Sequence, residues 1–266
     1  MVERLTSPAN PTLKRIRSLR EKKFRRTEGL FLAEGLRIVA EAVEAGVVPE
    51  MLVFADDAAA HPLVERLVAI TEAAGGHAIE TDRAMLHKLT EKDNPQAVVG
   101  VFRQHLTPLD RLDRSLAPIW IVAQALKDPG NLGTILRTGD AVGAGGVILL
   151  DDGCDPFSVE AVRASMGAVF TQALVQTSGA AFFDWVRQGP GQVVGASLDT
   201  ATDFRRVAYA APVFVLMGNE QAGLPPEYEA QCDALAKLPM RGKADSLNVA
   251  VATAVLLYEV LRQVEG

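Results

Sequence analysis

Apolar and polar positions along this chain change texture near residue 103. Before it, elements of different kinds are mixed. Pro11 to Arg26 intersperses Leu and Ile with basic residues at helical spacing, FLAEGLRIVAEAVEAG (31 to 46) repeats apolar residues with helical periodicity, and residues 62 to 74 predict a further helix. MLVFA (51 to 55) and QAVVGVF (96 to 102) are short apolar runs that predict strands. Residues 1–103 are therefore expected to form a small α/β domain. RQHLTPLDRLDRSLAP follows, polar and carrying two prolines, and predicts a linker over residues 104–118. Beyond it the pattern becomes regular. IWIVAQAL (119–126), GVILL (146–150), TQALV (171–175), QVVGAS (192–197), PVFVLM (212–217) and ALAKL (234–238) alternate with helical stretches. Residues 119–266 should thus hold a mainly parallel sheet covered on both faces. The last helix, predicted over 247–263, is apolar on nearly every side and is expected to be buried against more than the sheet.

Composition adds exclusions. The chain has 266 residues, 48% hydrophobic and 23% charged, enough for one large domain or two smaller ones. No apolar run approaches the roughly 18–20 residues that span a bilayer, and the N-terminus opens with Glu3 and Arg4 instead of an apolar signal core, so a cytoplasmic location is expected. Cys154 and Cys232 have neither metal-ligand spacing nor partners for a disulfide framework, and no metal is expected.

Charge is unevenly distributed. The net value of −6 alone argues against a nucleic-acid partner. Yet residues 1–26 hold nine Lys or Arg against two acids, leaving 18 basic and 31 acidic residues elsewhere, so a +7 arm is joined to a −13 body. Lys14, Arg17, Lys22, Lys23, Arg25 and Arg26 are the expected phosphate contacts of a polyanion. A solvated basic helix without a partner fits the same charges.

Ligands in open parallel sheets bind beyond the carboxyl ends of strands, and three such junctions carry unusual text. KDPGNLGTILRTGDAVGAGG (127–146) holds Asn131 between Gly130 and Gly133, then Arg137 on an apolar helical stretch. Its later glycines follow a helix and precede a strand, the wrong order for a dinucleotide fingerprint, which disfavours a nicotinamide or flavin oxidoreductase. VFVLMGNEQAGLPPE (213–227) places Gly218, Asn219 and Glu220 at a strand exit. LPMRGKADSLNVAVATAV (238–255) puts Ser246 and Asn248 at the start of the final helix. Asp245 or Ser246 can cap that helix, but a cap does not account for Asn248, expected inside its first turn.

These three segments, in this order, resemble the three motifs of the SpoU (TrmH) family of RNA 2′-O-ribose methyltransferases over residues 119–263. The N-terminal stretch SPANPTLKRIRSLREKKFRRTEGLFLAEGLRIVAEAVEAG resembles the ribosomal-protein-like substrate-binding module that many members carry. The resemblance implies a C-terminal domain closed by a deep trefoil knot, S-adenosylmethionine as cofactor, a homodimer with its active site near the subunit boundary, and RNA as substrate. It carries cofactor contacts onto Gly218, Leu238 and Leu247, with Met240 and Ala196 as neighbours and Asn248 shared, and the functional polar set onto Asn131, Arg137, Glu220, Ser246 and Asn248. A separate substrate-binding module favours ribosomal RNA over transfer RNA. A transfer-RNA enzyme and a catalytically silent RNA-binding member are the alternatives. The sequence departs from a common family form in Gly130 before Asn131 and in the charged insertion Arg241 to Asp245.

Overall fold

A computed structural model describes residues 2–91, 93 and 96–265. In chain order the elements are β1 (Glu3–Arg4), α1 (Pro11–Ser18), α2 (Lys22–Glu28), β2 (Leu30–Glu34), α3 (Leu36–Glu44), β3 (Met51–Ala55), α4 (Pro62–Ala73), β4 (His77–Thr81), α5 (Arg83–Thr90) and β5 (Val98–Arg103). They continue with β6 (Ile119–Gln124), α6 (Pro129–Ala141), β7 (Gly146–Leu150), α7 (Val159–Ser165), β8 (Ala173–Thr177), α8 (Gly179–Val186), β9 (Gln192–Ala196), β10 (Val213–Met217), α9 (Pro226–Glu229), β11 (Ala234–Ala236) and α10 (Val249–Glu265). Two compact units result, one of residues 1–104 with 155–171, the other of residues 105–154 with 172–266.

The first unit is built on a five-stranded sheet in the order β1-β4-β3-β5-β2. β1, β4 and β3 run parallel, and β5 is antiparallel to β3 and β2. Two expectations are corrected here. The stretch from Phe31, read as continuous helix, opens as strand β2, buried along its whole length, before turning into α3. A strand buried on both faces has an apolar run with no alternation to mark it, and Gly35 breaks strand from helix at a φ of 124°. The basic helix over 11–26 is two helices, interrupted at Leu19–Glu21. A further departure concerns residues 155–171, expected within the C-terminal domain. Their Phe157 and Phe170 join Phe31 and Phe102 in one aromatic cluster, with ring centroids 4.7–5.9 Å apart.

The second unit contains a six-stranded, wholly parallel sheet ordered β11-β9-β10-β6-β7-β8. The strands are continuous hydrophobic runs because helices cover both faces; Ile119, Ile121, Val122, Val213 and Phe214 are fully buried. Register fixes what emerges beside what. Met217 pairs with Ala123 and Ala236 with Ala196, so the exits of β10 and β6 lie side by side, as do those of β11 and β9. α10 packs on α6 and on β10. It begins at Val249, two residues later than expected, and keeps Val251, Val255 and Tyr258 exposed. Among the described residues no helix is long and apolar enough to cross a membrane, and no group of three His, Cys, Asp or Glu could hold a metal ion.

Candidate functional site

A cavity of about 580 Å³ opens at the carboxyl ends of β9, β10 and β11, bounded by Ala196, Met217 and Ala236. That is where an open parallel sheet leaves strand ends and loop backbone unfilled. Part of its wall is apolar, formed by Met217, Leu224, Leu238, Met240, Leu247 and Val249, and the rest is polar. Every residue expected at the cofactor, namely Gly218, Leu238, Leu247, Met240, Ala196 and Asn248, lies on this lining.

Two loops are held together at the rim. At the end of β6, Ala125 takes a left-handed backbone (φ 46°), and its carbonyl accepts from Asn219 Nδ2 at 2.8 Å. Asn219 Oδ1 accepts in turn from the amides of Gln221 and Ala222, closing the turn that follows β10. Gly218 is required by space. A Cβ there would stand 2.3–2.5 Å from the backbone of Gly223 and Leu224, so the close approach that demands glycine is made by the chain's own turn. Asn219 was not among the expected functional residues; its place at a strand exit, one residue before the turn, is the signal that marks it.

Beyond the clasp runs a chain of polar side chains. Glu220 accepts from the amides of Lys127 (3.1 Å) and Asp128 (3.2 Å) and from Asn131 Nδ2 (3.2 Å). Asn131 Oδ1 accepts from Asn248 Nδ2 at 2.9 Å, and Asn248 Oδ1 accepts from the amides of Ala250 and Val251. Asn248 is therefore the cap of α10, one position outside the helix and not within its first turn, and its amide remains free to fix Asn131. Partial desolvation pushes the Glu220 carboxyl up. Hydrogen bonds from its own backbone, Lys127, Asp128 and Asn131 outweigh this and hold it below the ordinary carboxylate range. A carboxylate so engaged is a brace for two loops and a poor proton acceptor.

Ser246 lines the cavity and is exposed. Arg137 does not line it. It lies on α6, exposed, and among the described residues makes no hydrogen bond or ion pair. Asn131, Glu220, Ser246 and Asn248 are thus brought together, with Arg137 on the same helix as Asn131 but free.

Of the expected RNA contacts in the first unit, Lys14, Arg17, Lys22, Lys23 and Arg26 are exposed. Arg25 is not. It is 3% exposed, its Nε and Nη2 donate to Asp155 Oδ2 at 2.9 and 2.7 Å, and its Nη1 donates to the carbonyls of Leu19 and Arg20. Its guanidinium closes the end of α1 and ties it to residues 155–171, which takes Arg25 out of the phosphate set.

Comparison with known proteins gives a consistent result. Residues 118–258 match the SpoU rRNA Methylase family, and residues 10–100 match the MRM3-like substrate binding domain. A 23S rRNA (guanosine-2′-O)-methyltransferase of Bacillus subtilis is 29% identical over 97% of this chain and 99% of its own. A 23S rRNA (uridine-2′-O)-methyltransferase of Streptomyces viridochromogenes is 31% identical over 88% of this chain and 83% of its own. The crystal structure of an AdoMet-bound rRNA methyltransferase from Sinorhizobium meliloti superposes with a TM-score of 0.92 at 42% identity, covering 98% of both chains.

Proposed function

The chain belongs to the SpoU rRNA methylase family, and from that premise we propose that it methylates a ribose 2′-hydroxyl of ribosomal RNA with S-adenosylmethionine as cofactor. The observation that carries the reading is the cavity whose lining gathers Asn131, Gly218, Glu220, Ser246 and Asn248 from three distant segments. Its volume suits a nucleoside-sized ligand, the apolar part of its wall suits an adenine, and Asp199 and Glu229, also on the lining, suit a cationic sulfonium or ammonium. When bound, S-adenosylmethionine supplies an already activated methyl group. The protein's share is then to place the hydroxyl in line and to stabilise the oxygen as its proton leaves to water or to a phosphate oxygen of the RNA. Ser246 offers a rotatable hydroxyl at the cavity mouth. Asn131 is held in one orientation by Glu220 on its amide and Asn248 on its carbonyl. Arg137, exposed and unpaired among the described residues, orients ribose and phosphate with its forked guanidinium and stabilises the developing alkoxide.

Residues 1–103, with residues 155–171 packed among them, act as the substrate-binding domain and the rest of residues 119–266 as the catalytic one, the latter threaded as a trefoil knot by family resemblance. The enzyme works in the cytoplasm, where its ribosomal substrate is found. It is a homodimer joined through α10, whose Val251, Val255 and Tyr258 form an apolar row at helical spacing, 49%, 37% and 55% exposed. Sedimentation of Tyr258→Glu as a monomer, against a wild-type dimer, checks that interface.

The decisive experiment compares 2′-O-methyl maps of total RNA from cells with and without the gene, alongside calorimetric titration of the purified protein. A missing methyl in ribosomal RNA and tight S-adenosylmethionine binding are expected. Binding of NAD instead, or a change confined to transfer RNA, would sink the proposal.

A further inference from the structure

Within the first unit lies a second concavity, of about 890 Å³, between α1, the start of α2 and α7. Lys14, Arg17 and Phe24 line one side, and Glu160 and Arg163 of α7 line the other. Phe24 stands out among the phenylalanines of this unit. Phe31, Phe54, Phe102 and Phe157 are at most 3% exposed; Phe24 and Phe170 are both partly exposed, but Phe170 packs on Phe31 and Phe102, whereas the Phe24 ring meets the Lys23 ammonium 5.9 Å from its centroid and no other aromatic ring among the described residues. A partly exposed ring beside cations and outside the aromatic cluster is poorly explained by packing and well explained by a ligand with a flat π face. Lys14 and Arg163 carry no ion pair or side-chain hydrogen bond among the described residues, while Arg17 is loosely paired with Glu91 at 3.4 Å. Two carboxylates, Glu21 and Glu160, also line the groove and have no side-chain partner among the described residues. A purely electrostatic track for backbone phosphates would be weakened by them. A base that carries an amino group would instead find acceptors there.

We infer that this groove takes one unpaired nucleotide of the RNA substrate, its base stacked on Phe24, its amino edge facing Glu21 and Glu160, and its flanking phosphates met by Lys14, Arg17 and Arg163. The inference rests on the methyltransferase reading only for RNA as the ligand. It assigns recognition to Arg163, which lies in sequence between two strands of the catalytic sheet but packs within the first unit. It also sets the substrate class as a loop, bulge or single strand, because a duplex keeps its base faces stacked.

The test measures affinity of the full-length protein, by fluorescence anisotropy across a salt series, for short labelled oligoadenylate, oligocytidylate, oligouridylate and an RNA duplex. Single strands should bind more tightly than the duplex, and oligouridylate should be the weakest of the three. Phe24→Leu, which keeps the apolar bulk and loses the π face, should weaken single-strand binding on the order of ten-fold with an unchanged salt slope. Arg163→Gln should lower the slope by about 0.7. An unchanged Phe24→Leu affinity, or a duplex bound as tightly as single strands, overturns the stacked base; equal binding of oligouridylate overturns the role of the carboxylates. Should Phe24→Leu prove unfolded by circular dichroism, Arg163→Gln with an unaltered slope overturns the groove by itself. S-adenosylmethionine titration runs in parallel. Retained cofactor binding and methyl transfer with unaltered RNA affinity in the variants defeats this inference alone, whereas absent cofactor binding in the wild type defeats the functional reading.

Discussion

Around the cavity of the second unit, polar side chains are bonded to one another; in the basic run of the first, all four of Lys14, Lys22, Lys23 and Arg26 are without an ion pair among the described residues, although the neighbouring arginines are paired. Glu220, Asn131 and Asn248 form a continuous chain that braces two loops, while Lys14, Lys22 and Arg26 have no ion-pair partner among the described residues. The difference matches the tasks proposed for the two regions. Methyl transfer depends on distances and angles, so its polar groups are fixed in advance. Capture of a polyanion depends on charge near a surface and tolerates mobile side chains. Arg25 crosses this divide, being drawn from the basic run yet fixed as tightly as any residue at the cavity.

Arg25 therefore offers the sharpest break. Arg25→Ala leaves Asp155 uncompensated, its side chain only 12% exposed, and should destabilise the first unit by about 3–5 kcal/mol, read by chemical denaturation. A variant of wild-type stability would return Arg25 to the free cations. Next comes Arg137→Ala, expected to lower the single-turnover methyl-transfer rate by roughly 10²–10³-fold with S-adenosylmethionine affinity retained, since Arg137 does not line the cavity. An undiminished rate would remove it from the mechanism. Neutralising Lys22, Lys23 and Arg26 together should lower the log-log salt slope of RNA binding by about 0.7 for each lost contact and leave the denaturation midpoint in place. A shifted midpoint with an unaltered slope would reverse the roles given to the two regions.

The smallest effect concerns Glu220. Its folded pKa is lowered from the ordinary 4.5, so its ionised form stabilises the fold fully above that value, and the contribution is lost as pH falls through the folded value. Glu220→Gln should show less loss of thermal stability on acidification than the wild type. Parallel acid limbs for the two proteins would mean that the brace does not depend on charge.

Much of the second unit was legible in the sequence, because six apolar runs between helices leave few ways to build a sheet. The gathering of its candidate site at one cavity was legible only by resemblance. Nothing local joins Asn131 to Glu220, 89 positions away, or to Asn248, 117 away. The first unit was harder for two physical reasons. β2 is buried throughout and shows no alternation, so its residues merged with the helix beyond Gly35. Arg25 has the sequence context of its exposed neighbours, and its partner lies 130 positions further on.

That distance also orders events in time. Phe31 and Phe102 leave the ribosome well before Phe157 and Phe170, the rings that complete their cluster. The first unit thus cannot finish its core as a nascent N-terminal domain, as many multidomain chains do. It must wait, part of its apolar surface uncovered, until β6, α6 and β7 of the other unit have been synthesised. Neither unit is a separable cassette, and exchanging one between relatives at the linker alone would strand residues 155–171 against a foreign surface.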